Sequence, residues 1–202
     1  MRKVDVSIIE ALAKALDGTV QEHMQTIGTD QENFNLFRMN FIKKFSDDVM
    51  FLNDLSGKND FYHRYGYLIL RNMLEQFIEF LYVQKNRHLV DEYLGLKIDL
   101  DALREKHTPV EGERRFGKKR YTNNRPSVAD MAKDVDEYKA TVGTMTLYDT
   151  YCVLSERCHN SYFDSLLKDF NSVGMGVPNI GLNEEQLMLL NVMVACVFIE
   201  YK

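Results

Sequence analysis

Apolar residues recur along most of this chain every three or four positions, the period of helices and not of half-buried strands. A first amphipathic segment covers residues 5 to 25. After Gly28-Thr29-Asp30 a second helix is expected, with Phe34, Phe37, Phe41, Phe45 and Met50 as its inward stripe and Ser56-Gly57-Lys58-Asn59 closing it. The third runs from Asp60 to Gln84. Tyr67, Leu70, Leu74, Phe77 and Leu81 form one stripe while Ile69, Met73 and Phe80 widen the apolar surface, so this helix belongs at the centre of a bundle. A shorter helix is expected over Leu94 to Lys106, and residues 107 to 126 lose periodicity and read as the longest loop.

Ser127-Val128-Ala129-Asp130 resembles a capping box with Asp in place of Glu or Gln, and predicts a helix to about Ala140. The next helix spans about Thr144 to Phe170. At about 100° per residue, Tyr148, Tyr151, Cys152, Ser155, His159, Tyr162, Phe163, Leu166 and Phe170 share one sector about 120° wide. The last helix, capped by Asn183 and Gln186, carries a run from Leu187 to Tyr201 that is apolar nearly all round and should lie buried against the third. The chain is therefore expected to be all-α, a single domain over residues 1 to 202 folded as a bundle of five to seven helices, with the third, the Thr144 helix and the last at its centre.

Composition narrows the class. With 45% hydrophobic residues, 27% charged ones and three prolines, this is the makeup of an ordinary globular protein and not of a disordered chain. Thirty acidic against 25 basic residues leave no overall basic footprint for nucleic acid. Cys152, Cys158 and Cys196 lack metal-binding spacing and read as buried thiols in a reducing compartment. No stretch has the length of a bilayer-crossing helix and no secretory signal opens the chain, so a cytoplasmic protein without membrane association is expected.

Two polar pairs stand out on these apolar helices. Arg71 with Glu75, and Ser155 with His159, are each spaced i, i+4 and so stack on one helix face. For Arg71 and Glu75, which border the third helix's stripe together with Arg64 and Tyr82, the plain reading is a simple surface ion pair. Ser155 and His159 lie within an aromatic stripe, where burial holds an imidazole neutral and a carboxylate such as Glu75 favours its charged form. Such a histidine either ties two helices together or moves protons. Arg157 points about 160° away from His159 and should face solvent or a partner chain. Glu156-x-x-His159 has the spacing of half a di-iron site, but its counterpart Asp60-x-x-His63 carries the shorter acid, and no metal is expected.

The loop holds a local exception to the acidic balance. Arg114, Arg115, Lys118, Lys119, Arg120 and Arg125 accompany Phe116 and Tyr121 without an intervening acid, a combination that can touch phosphates and stack on bases. Without those six charges the remainder carries 19 basic against 30 acidic residues, so the loop can equally serve to balance the body.

The segments Arg71 to Tyr82 and Tyr151 to Tyr162 resemble the two signatures of a bacterial helical family of unknown function, R-x3-E in one helix and Y-x3-S-x3-H in a later one, matched by Arg71, Glu75, Tyr151, Ser155 and His159. Such domains look similar to the HEPN group, helical bundles of prokaryotic toxin and phage-defence systems, many of them dimeric, metal-independent ribonucleases. The resemblance implies RNA or a nucleotide as ligand, no cofactor, a possible homodimer, and these five residues as the catalytic set. No Arg-His pair here has the HEPN ribonuclease spacing of four to six residues. Ribonuclease chemistry would instead require His159, as general acid or base, to meet Arg71 from another helix. The alternative is a non-catalytic helical interaction protein whose polar cluster fixes helix register.

Overall fold

The computed structural model describes residues 4–55, 63–96, 125–136, 146–158 and 184–200, and among them the chain is all-α, without a strand. Helix α1 (Val6–Thr26) starts at Asp5, whose carboxylate accepts the Ser7 N–H at 2.9 Å. The turn after it uses Gly28 at φ 80°, a left-handed conformation that glycine adopts without strain. Glu32 closes the turn by accepting the Gly28 N–H at 2.7 Å. Helix α2 (Glu32–Leu55) then returns antiparallel along α1, and α3 (His63–Lys85) packs on α2.

The α2–α3 seam is aromatic at its centre, with Asp48 accepting from the Asn72 and Gln76 amides at its edge. Phe41 stacks on Phe80 with centroids 4.4 Å apart, and Phe45, Phe77 and Phe80 are buried to within 1%. Met50 departs from the expected stripe: it is 44% exposed, and Val49 and Leu52 are buried in its place. Counting four residues on from Phe45 arrives at Val49, whereas a fifth turns the side chain onto the outer face.

Beyond α3 a 3-10 turn (Arg87–Leu89) leads into the short α4 (Val90–Tyr93). The helix expected to begin at Leu94 is absent there: Leu94 caps α4, Gly95 follows at φ 76°, and the rest of that segment and of the loop up to residue 124 lies outside the described residues. Helix α5 (Val128–Val135) has the expected cap, Ser127 Oγ accepting the Asp130 N–H at 3.1 Å. It ends at Val135, five residues short of Ala140, because the next residue turns away to cap another helix: Asp136 accepts the Leu147 N–H at 2.8 Å. That helix, α6, is described over 147–158 and has a second box of the same kind, with Thr146 Oγ1 accepting from Asp149 N and Asp149 accepting from Thr146 N, both at 3.1 Å.

Helix α7 (Glu184–Glu200) packs on α3. Leu189, Leu190, Met193, Val194 and Val197 are buried, but Met188, Asn191 and Ala195 form an exposed row, so its apolar composition does not mean burial on every side. The close approach is at Gly66, where a Cβ would stand 2.8 Å from Nε2 of the fully buried Gln186. One core cluster contains residues of α1, α2, α3, α5, α6 and α7. The bundle thus centres on α3, against which α2, α5 and α7 all pack. No described helix is long and apolar enough to cross a membrane.

Candidate functional site

On α3 the apolar stripe faces α2 and leaves Arg71 and Glu75 at its border, half-buried, with side chains 27% and 29% exposed. Their i, i+4 spacing closes the pair, Arg71 Nε donating to Glu75 Oε1 at 2.9 Å. Across the helix gap, a terminal Arg71 nitrogen donates to the Tyr151 hydroxyl at 3.4 Å, and the guanidinium carbon lies 5.5 Å from the centre of the Tyr151 ring. Arg71 also hydrogen-bonds Cys158. Burial works against the arginine's charge, but the Tyr151 bond and the Glu75 carboxylate outweigh it and raise the pKa above the ordinary value. The Cys158 thiol is pushed up by burial, with the arginine acting in the opposite sense.

Residues 151, 155 and 158 occupy one face of α6. Ser155 sits between the two groups that hold Arg71, and its buried Oγ has no hydrogen-bond partner among the described residues. Of the five residues in the two signatures, the structure brings Arg71, Glu75 and Tyr151 into contact and places Ser155 on the same face of α6 as Tyr151; His159 lies outside the described residues. So do Asp60, Arg114, Arg115, Lys118, Lys119 and Arg120.

Orientation of α6 differs from the expected one. Leu147, Thr150 and Leu154 are its buried row, Tyr151 and Ser155 are half-buried, and Cys152 is exposed, so between 147 and 158 the inward face is rotated by about 130° from the centre of the aromatic sector. The expected sector follows aromatic spacing, whereas within the described residues Leu147 and Leu154 make the core contact. The cysteines are accordingly not buried: Cys158 and Cys196 are half-buried and Cys152 lies outside. Arg157 is half-buried and engaged, not turned to solvent.

A second polar group continues the first along α3. Glu79, one turn beyond Glu75, has a carboxyl whose pKa is raised by burial, with the Arg125 charge opposing and Glu75 adding to the rise. Arg125, the one described residue of the basic set, is folded inward: its guanidinium lies 4.2 Å from the Tyr93 ring centre and donates to the Glu92 carbonyl. Burial, and after it Glu79, pushes Tyr93 up to about 12, and the Tyr93 hydroxyl meets the Met131 sulfur at 3.0 Å. Tyr82 completes the group, 6.4 Å from Tyr93 between ring centres. Neither Cys158 nor Glu79 was singled out by the motifs, although i+7 from Tyr151 and i+4 from Glu75 are the positions that share their faces.

The fold and the cluster together define a class, a helical bundle with a half-open, arginine-centred polar site between two of its helices. Comparison of the chain with family models, curated proteins and solved structures finds no match.

Proposed function

We propose that the protein is a HEPN-like helical domain that binds RNA or a nucleotide, with a phosphate group seated at the face formed by Arg71, Tyr151 and Ser155. The observation that carries this is the meeting of Arg71 and Tyr151, 80 residues apart in sequence, at 3.4 Å in a setting still open to solvent. The arrangement suits an anion. Tyr151 accepts from the guanidinium and so keeps its own proton to donate, Ser155 Oγ is unpartnered, and the guanidinium has further N–H groups. It contributes little to stability: an ion pair of this kind is worth about 0.2 to 0.5 kcal/mol, while a buried hydroxyl without a partner costs about 1 to 3. His159 as general acid or base, the basic loop as a second phosphate contact and a dimeric state belong to the same reading.

A filter-binding titration of the full chain with a random-sequence single-stranded RNA at low salt tests it. Arg71→Ala and Tyr151→Phe should each weaken binding about tenfold or more at little cost in melting temperature, and alanine at Arg114, Arg115, Lys118, Lys119 and Arg120 should flatten the salt dependence. RNA binding that is absent, or indifferent to Arg71→Ala, overturns the proposal. One observation favours the runner-up, a non-catalytic interaction protein: Arg71 is engaged by Glu75, Tyr151 and Cys158 at once, as a helix-registering latch would be. A large fall in stability of Arg71→Ala without any binding to lose would favour it.

A further inference from the structure

Arg71, Glu75, Glu79 and Tyr82 are spaced i, i+4, i+8 and i+11, which puts them within a sector about 80° wide on α3. Glu75 is neutralised by Arg71, but Glu79 has no hydrogen bond among the described residues, and the charges of Arg125 and Lys44, which act favourably on it, do not offset its burial. A carboxylate in that position repels phosphate. If the arginine end of the row takes the anion, the glutamate end must take something rich in N–H donors. The two ends are about 12 Å apart along the helix, comparable to the span of one nucleotide from its phosphate to the outer edge of its base.

We infer that Glu79 determines base specificity at this site and that the base it fits is guanine. This rests on the reading of the Arg71 face as a nucleotide site. An ionised carboxylate only accepts hydrogen bonds. Guanine presents two adjacent donors on its Watson–Crick edge, N1–H and the N2 amino group, which match the two carboxylate oxygens. Adenine and cytosine set a single amino donor beside a ring nitrogen acceptor that repels the second oxygen, and uracil flanks its one N–H with carbonyls. Tyr82, one turn further along the same face, supplies an aromatic ring on which a base can stack, whereas Tyr93 beside it is covered by Arg125. Burial makes the Glu79 charge costly when nothing donates to it, and a pair of N–H donors removes that cost.

Calorimetric titration of the full chain with guanosine, inosine and adenosine 5′-monophosphates is the test, because inosine differs from guanosine only by the N2 amino group. GMP should bind about tenfold more tightly than AMP, in line with one bidentate base contact, with IMP between them. Glu79→Gln should abolish the guanine preference, because its amide offers one acceptor and one donor and so pairs with the adenine edge, bringing AMP to at least the level of GMP, while Arg71→Ala should weaken all three alike. Equal binding of GMP and AMP by the unaltered protein, or a guanine preference that survives Glu79→Gln, overturns the inference but leaves the nucleotide reading standing. Absence of binding by all three overturns the inference, and the RNA titration above then decides the reading on which it rests. Should Glu79→Gln fail to fold, the GMP to IMP ratio of the unaltered protein decides the matter by itself.

Discussion

Helix α3 serves two partners in opposite ways. Toward α2 it presents Phe77, Phe80 and Leu81, all 3% exposed or less, against Phe41 and Phe45, with rings stacked as closely as 4.4 Å. Toward α6 it presents Arg71 and Glu75, more than a quarter exposed, with polar contacts to Tyr151 and Cys158. The first face excludes water and supplies stability through apolar area and ring contact. The second retains charge, leaves a buried hydroxyl without a partner and gives little net stability in return. A helix that spends one side on holding the bundle together and keeps the other half open has the layout of a scaffold carrying a site.

The most direct way to break that contrast is to cut into the dry side. Phe41→Ala removes a ring that stacks on Phe80 and lies near Phe45 and Phe77, and is expected to cost about 3 to 5 kcal/mol in a denaturant titration. A cost below about 1 kcal/mol would mean that the seam is not what stabilises α3.

Gly66→Ala should have the next largest effect. Alanine is the better helix former by about 1 kcal/mol, but the added Cβ would stand 2.8 Å from the Gln186 amide, and overpacking a buried contact costs about 1 to 3 kcal/mol. A net loss is therefore expected. Combining it with Gln186→Ala should recover part of that loss, and thermal unfolding of the two single variants and the double one measures the coupling. Independent effects would show that α7 does not depend on this approach.

Much of the dry side was legible in the residues and less of the open side. Phe34, Phe41, Phe45, Leu70, Leu74 and Phe77 are buried where three-and-four spacing places them, and the Ser127 cap was visible as a motif. Met50 fails because a single step around the helix reverses its direction. The α6 face fails for a related reason: hydrophobic and aromatic patterning identifies a stripe but not which edge of it meets the core, and Leu147 and Leu154 outweigh Tyr148 and Cys152. The Arg71–Glu75 contact follows from spacing within one helix, whereas the contact with Tyr151 requires knowing how two helices lie against each other, which no local pattern encodes. Arg125, part of a run that reads as a phosphate-contacting loop, instead covers Tyr93, a tertiary choice that its charged neighbours conceal.

On the open side the effects should be smaller. Arg71→Ala, Tyr151→Phe and their combination are each expected to change stability by less than about 1 kcal/mol, with a coupling of about 0.5 kcal/mol for a half-buried, solvent-screened contact. Chemical denaturation resolves this. A loss of about 3 kcal/mol or more for Arg71→Ala would place the arginine with the core, and the contrast between the two faces would disappear.

Glu79 gives the finest distinction, through pH. Burial raises its folded pKa above the ordinary value of 4.5, so between the unfolded and folded values the native state holds the proton more tightly than the unfolded chain does. Its contribution is thus fully favourable below the unfolded pKa and is lost as pH rises through that window, the reverse of a salt-bridged carboxylate. Asp48, raised by burial although the Gln76 and Asn72 amides donate to it, acts in the same sense and remains in either protein. Glu79→Gln should therefore be slightly more stable than the unaltered protein at neutral pH, by about 0.5 kcal/mol, with the difference vanishing toward pH 4. Melting curves of the two proteins at several pH values measure it. A variant less stable at pH 7 would mean that the Glu79 carboxylate is favourably held in the free protein, and the cost assigned to its burial would be wrong.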